Sequence, residues 1–150
     1  MKKINKPGDN LGGLLKIWAL PVSSYYMDAS GIHIVSDVNV YQIYCSPDSM
    51  EFSEVSEISG SGKHYNSTIS GFIPNDNAAL QEAIAYLEPL KWNILYIDGN
   101  GFFKLAGSIS DPLRLSGSFE SGKDTSSPAG FLFRFSGLTK NRAVFAQDPF

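Results

Sequence analysis

Pro74-Asn75-Asp76-Asn77-Ala78-Ala79-Leu80-Gln81-Glu82-Ala83-Ile84-Ala85-Tyr86-Leu87-Glu88-Pro89 carries the clearest helical pattern in this chain. Leu80, Ala83, Ile84 and Leu87 recur at i, i+3, i+4 and i+7, which places them along one face. The spacing predicts an amphipathic helix over 76–88. Asn75 or Asp76 is the expected cap for backbone N–H groups that the first turn leaves unpaired, and Pro89 forbids continuation. On both sides the chain breaks into short apolar runs divided by Gly and Ser turns. A single helix between two β regions predicts a mainly β, single-domain fold, either a barrel or a sandwich, with the helix covering an edge or an open end.

The strand pattern is most distinct just after the helix. Trp92-Asn93-Ile94-Leu95-Tyr96-Ile97 leads into Asp98-Gly99-Asn100-Gly101 and then Phe102-Phe103-Lys104-Leu105-Ala106, two apolar runs around a turn whose Gly and Asn tolerate positive φ. A second hairpin is predicted between 113–119 and 131–135, where Phe131, Phe133 and Phe135 alternate with Leu132 and Arg134. Before the helix, strands are expected over 14–20, 32–35, 40–44 and 64–73. Tyr65, Ser67, Ile69, Gly71 and Ile73 share one side of the last. The segment 51–58 is ambiguous: Phe52, Val55 and Ile58 recur every three residues, as do Glu51, Glu54 and Glu57. Asp48 with Glu51 fits a capping box, but the serines and β-branched residues favour an irregular or bulged strand over a short helix. Residues 1–12 read as a flexible N-terminal arm, and 13–150 as one β-rich domain.

A chain of 150 residues suits one core. Ten Phe, seven Tyr and two Trp, concentrated in the apolar runs, weight the reading towards pleated structure. The net charge of −3 defines no partner, and no basic cluster is dense enough for nucleic-acid recognition. Its distribution is uneven. Eight acidic residues between Val40 and Gly99 face only Lys63 and Lys91, whereas five basic residues outnumber three acidic ones from Leu113 onward. Complementary halves favour head-to-tail contact between copies, although two solvated faces give the same count. The start of the chain breaks into Pro and Gly where a secretory signal continues with apolar residues, so no export by a signal peptide is expected. The run over 14–22 is too short and too interrupted to span a bilayer.

The chemical inventory is thin. Gly117-Ser118-Phe119-Glu120-Ser121-Gly122-Lys123 satisfies G-x4-G-K, but Asp124 stands where a phosphate loop needs Ser or Thr, and no helix follows. His33, His64 and Cys45 are too few to make a zinc site without recruiting Asp28 or Asp37. His33 is expected on the outward side of a strand whose Ile32 and Ile34 face the core. A Cys45–His nucleophilic pair is chemically allowed, but a lone Cys ending an apolar strand reads more simply as a small buried side chain. Trp18 and Trp92 keep a carbohydrate- or protein-binding module as the alternative function. No catalytic residue, metal or cofactor is assigned.

Five features together resemble small β-rich structural proteins of bacteriophages and prophages, in particular tail-tube-like ones. They are the acidic segment around Glu51, Glu54 and Glu57; Ser70-Gly71-Phe72-Ile73-Pro74; the helix; Asp98-Gly99-Asn100-Gly101; and Phe133-Arg134-Phe135-Ser136-Gly137. Together they cover about the last two-thirds of the chain. The resemblance implies a barrel or sandwich with one flanking helix that assembles into rings, and rings that stack into a tube. It implies copies of itself and other phage tail proteins as partners, no membrane, and a location in the producing cell's cytoplasm or in the virion. The polar loop over 120–130 and the N-terminal arm are then the expected contact segments. Glu51, Glu54, Glu57, Lys123, Asp124 and Arg134 are the candidate assembly contacts.

Overall fold

The computed structural model describes residues 12–150; the expected N-terminal arm lies, apart from Gly12, outside the described residues. Among those residues the chain forms eleven strands and one helix. A five-stranded antiparallel sheet has the order β11-β8-β7-β1-β4, with β1 (Leu14–Pro21), β4 (Tyr41–Ile43), β7 (Trp92–Asp98), β8 (Phe103–Ala106) and β11 (Val144–Ala146). A four-stranded antiparallel sheet has the order β5-β6-β10-β9, with β5 (Glu51–Ser59), β6 (Gly62–Ile73), β9 (Arg114–Glu120) and β10 (Gly130–Thr139). A short hairpin pairs β2 (Tyr25–Asp28) with β3 (Gly31–Ile34). Neither large sheet closes on itself, so the arrangement is a sandwich and the barrel alternative does not form.

The layers follow from which faces are apolar. Ile17, Ala19, Trp92, Ile94 and Tyr96 of the five-stranded sheet meet Ile69, Phe131, Phe133 and Phe135 of the four-stranded sheet in one buried cluster. On the opposite face, Trp18, Leu20, Leu95 and Leu105 are covered by Tyr25 and Ile32 of the β2–β3 hairpin. The central sheet is thus enclosed on both sides, and Trp92, Asn93, Ile94, Leu95 and Tyr96 are buried without alternation. A strand packed on two faces carries a continuous apolar run, whereas β10 has only its Phe131, Phe133 and Phe135 side inward. Asn93 is the polar exception, and its amide donates to the Tyr25 hydroxyl, tying the hairpin to the central strand.

The helix α1 (Ala78–Leu87) falls within the expected segment. Its cap is Asn77, not Asn75 or Asp76: extended Asn77 (φ −137°, ψ 169°) accepts from the Leu80 N–H at 2.8 Å. Asp76 instead accepts from the Gln81 side-chain amide at 2.8 Å. Ile84 and Leu87 are buried, and the Trp92 indole donates to the Leu87 carbonyl at 2.8 Å, locking the last turn to β7. The helix lies beside edge strand β4 at the open side of the sandwich, which is the covering position the pattern suggested.

Two strands go beyond the sequence expectation. Tyr25–Asp28 is only four residues long and Val144–Ala146 three, too short for periodicity to register. Strand β5 is also regular where a bulge was expected, pairing with β6 without a register shift from Glu51 opposite Ser70 to Ser59 opposite Gly62. In the neighbouring hairpin, a Cβ added at Gly117 would run into the Leu132 carbonyl and the Phe131 ring. Gly117→Ala is therefore expected to cost about 1–3 kcal/mol through overpacking, measured by urea unfolding.

Candidate assembly surface

The outer face of the four-stranded sheet is built by alternation. Glu51, Ser70, Arg134 and Ser116 form one cross-strand row over β5, β6, β10 and β9. Ser53, Thr68, Ser136 and Arg114 form the next. Phe72, Leu132 and Ser118 lie on the other side of the Arg134 row, where a depression is lined also by Ser49 and Arg134. Glu51 and Arg134 share a row but lie two strands apart, roughly 9–10 Å at ordinary strand spacing, and they make no ion pair. The face mixes hydroxyls with Phe72 and Leu132, and carries the Arg134 guanidinium near its centre and Arg114 on its edge strand.

The three glutamates are not one surface. In a strand, positions three apart point to opposite faces, so Glu51 and Glu57 lie outward while Glu54 turns inward. Glu54 accepts from the Ala143 N–H at 2.7 Å and pairs with the Arg142 guanidinium at 3.0 Å. Arg142 also covers the Tyr65 ring at 4.6 Å. These contacts hold the crossing from β10 to β11, where the chain passes from one sheet to the other. Glu54 therefore has its partner inside the chain. Glu57 pairs with the His64 ring across the hairpin at 3.0 Å.

The remaining assembly candidates lie at the other end of the sheet. Asp124 accepts from the N–H groups of Ser126 (2.9 Å) and Ser127 (3.0 Å) and from both hydroxyls. The Ser126 bonds lead in lowering its carboxyl below the ordinary range. The 120–130 connection is thus an Asp-organised turn with exposed Lys123 beside it, with none of the geometry of a phosphate cradle.

Sequence reasoning missed the hairpin tip. Strand β10 ends at Thr139 opposite Tyr65, while β5 and β6 continue to their turn at Gly60 and Ser61. The end of the β5–β6 hairpin projects beyond the third strand, which leaves Ile58 83% exposed, while Val55 faces outward within the paired part of the sheet. The signal was present as the β-branched Ile58, but only the stagger of the strands removes its cover.

Groups with catalytic chemistry are arranged otherwise. At the β2–β3 turn, Ser30 Oγ and Asp28 Oδ1 both meet His33 Nε2, at 2.8 and 3.0 Å. A proton relay needs the hydroxyl and the carboxylate on different ring nitrogens, so this cluster ties a turn. His33 stacks on Tyr26 on the outward side, as the sequence suggested, with Ile32 buried. Cys45 is buried, and desolvation pushes its thiol up to about 12, far from a nucleophilic thiolate. Trp92 is fully buried, which removes it as a sugar platform. Among the described residues no three His, Cys, Asp or Glu side chains are placed to hold a metal ion, and no helix is long and apolar enough to cross a membrane.

Comparison with protein-family models, curated proteins and solved structures finds no match.

Two outcomes follow from these local networks. Glu54→Ala removes a charged acceptor from the Ala143 N–H and from Arg142, and is expected to cost about 1.5–3 kcal/mol in denaturant unfolding, where exposed Glu51→Ala changes little. The hydroxyl and backbone bonds from Ser30, then that from His33, hold the Asp28 carboxyl at about 2, below its ordinary 3.8. Its stabilising contribution is present above pH 3.8 and is lost as pH falls towards 2. Carboxyl-carbon NMR should place the Asp28 midpoint near 2, and Ser30→Ala should raise it.

Proposed function

We propose that the protein is a non-enzymatic structural component of a phage or prophage tail, tail-tube-like, which assembles with copies of itself into rings or a tube. The observation that carries this reading is the projecting β5–β6 tip, with Ile58 exposed at the end of a long regular edge strand. Among the described residues the same sheet ends in two unpaired edges, β5 and β9. An edge strand offers a row of unused N–H and C=O groups to another chain. Contact between unlike edges is heterologous and closes into a ring when the rotation permits. Glu51 on the β5 side and Arg114 on the β9 side supply opposite charges for such a contact. Lys123 and Asp124, on the loop at the opposite end of the sheet from the tip, suit contact between successive rings, and Arg134 suits the outer sheet face. Other tail proteins are the further partners, with the cytoplasm of the producing cell or the virion as the location.

The second reading, a carbohydrate- or protein-binding module, draws on one cleft. There the largely buried Trp18 stacks on Phe103 and meets the tilted ring of the exposed Phe150, at ring-centroid distances of 6.0 and 5.1 Å, beside Lys16, Asp37 and Gln42.

Electron microscopy and light scattering over a concentration series, with and without Ile58→Lys, separate the two. Self-assembly into rings or tubes is expected for the unaltered chain. Ile58→Lys should abolish it while moving stability by no more than about 0.5 kcal/mol, as for other exposed positions. A strictly monomeric protein that binds a glycan at this cleft would replace the first reading with the second.

A further inference from the structure

We propose that the cavity between α1, β4 and the inner face of the four-stranded sheet is a binding site for a small, neutral, apolar molecule, an aromatic ring system or a short alkyl chain. This goes beyond the assembly reading and stands independently of it. The cavity has a volume of about 210 Å³. Folded interiors pack like organic crystals and leave few voids larger than a water molecule. A hydrophobic cavity of about 150 Å³ stays dry and takes up benzene, so the larger space here accommodates a bicyclic ring or a chain of several carbons.

The walls define the ligand's chemistry. Ile43, Ile73, Leu80, Ala83, Leu115 and Phe133 contribute apolar surface from five elements or their ends, and no charged side chain lines the cavity. An ion entering it would lose its hydration without gaining a counter-charge, which selects against charged ligands. Tyr41 and Tyr44 also line the space, and Tyr44 is 73% exposed, placing it at the mouth. Neither phenol hydroxyl has a hydrogen-bond partner within the described chain, so a neutral ligand with one polar end meets a donor there. This is the usual composition of a small-molecule site, mostly apolar with a few polar groups that orient the occupant.

The room arises from one small residue in the helix stripe. Ala83 stands between the larger Leu80 and Leu87 on the face that looks into the cavity. The last turn of the helix is held against the central sheet, because the Trp92 indole donates to the Leu87 carbonyl. Ala83 is therefore the position at which added volume should replace a ligand.

The test uses the full chain at a concentration where it is monomeric, titrated with indole, naphthalene and 1-octanol and followed by amide chemical shifts. Saturable shifts centred on the cavity-lining residues are expected for at least one probe. Benzoate and octylammonium should bind at least tenfold more weakly. Ala83→Phe should weaken the neutral probe at least tenfold, and Ala83→Leu, the milder change, serves where the phenylalanine disturbs folding. A melting temperature that is unchanged or raised in the variant shows that the cavity was filled and the fold kept. No saturable binding by any neutral probe overturns the proposal, as does binding that persists in both folded variants or that is equal for charged probes. It is equally overturned if the cavity residues shift only on self-association, which would assign the space to a side chain of a second copy.

Discussion

Strand β7 is covered on both sides. Trp92, Ile94 and Tyr96 pack towards the four-stranded sheet, and Asn93 and Leu95 towards the β2–β3 hairpin. Each outer layer hides one face of the same central sheet, so neither could be removed without exposing a row of large apolar side chains. The helix is tied in at the same strand through the Trp92 indole and the Leu87 carbonyl. Burial at about 25 cal/mol per Å² over two faces explains how eleven mostly short strands cohere without a disulfide, since Cys45 is the lone cysteine.

This inward organisation leaves the outer sheet face open to solvent. Phe131, Phe133 and Phe135 of β10 point in, and Leu132, Arg134 and Ser136 point out. The Glu54 clamp has the same consequence, since it uses a carboxylate that would otherwise add to an acidic surface in order to secure the crossing between sheets. Ile58 is left exposed at the projecting end of β5, where the third strand has stopped. That exposure arises from strand stagger, with no specialised residue required.

The parts of this architecture that were legible in the sequence are those governed by local rules. The helix was readable because Leu80, Ala83, Ile84 and Leu87 keep a period that only a helix brings onto one face. The Asp98 turn was readable because Gly and Asn adopt conformations that other residues resist; in the structure Gly101 has φ +85°. The Phe131, Phe133 and Phe135 alternation marked a strand with one buried face. Tyr25–Asp28 and Val144–Ala146 were not readable, because three or four residues carry too little pattern and their pairing comes from strands distant in sequence or from a tight local turn. Which way each glutamate points was not readable either: the repeat of three left helix and strand open, and β pairing with Gly62–Ile73 imposed a period of two.

By itself the sequence determined the class of the fold and the position of the helix, since these depend on side-chain type and on spacing along one segment. The tertiary structure decided that the sheets stack rather than close, that Glu54 is a clamp while Glu51 and Glu57 stay outward, and that the tip of β5 projects. It also decided that a small alanine leaves an apolar cavity beneath the helix. These outcomes depend on which strands become neighbours and where each one ends, and that is set by the joint burial of residues far apart in the chain.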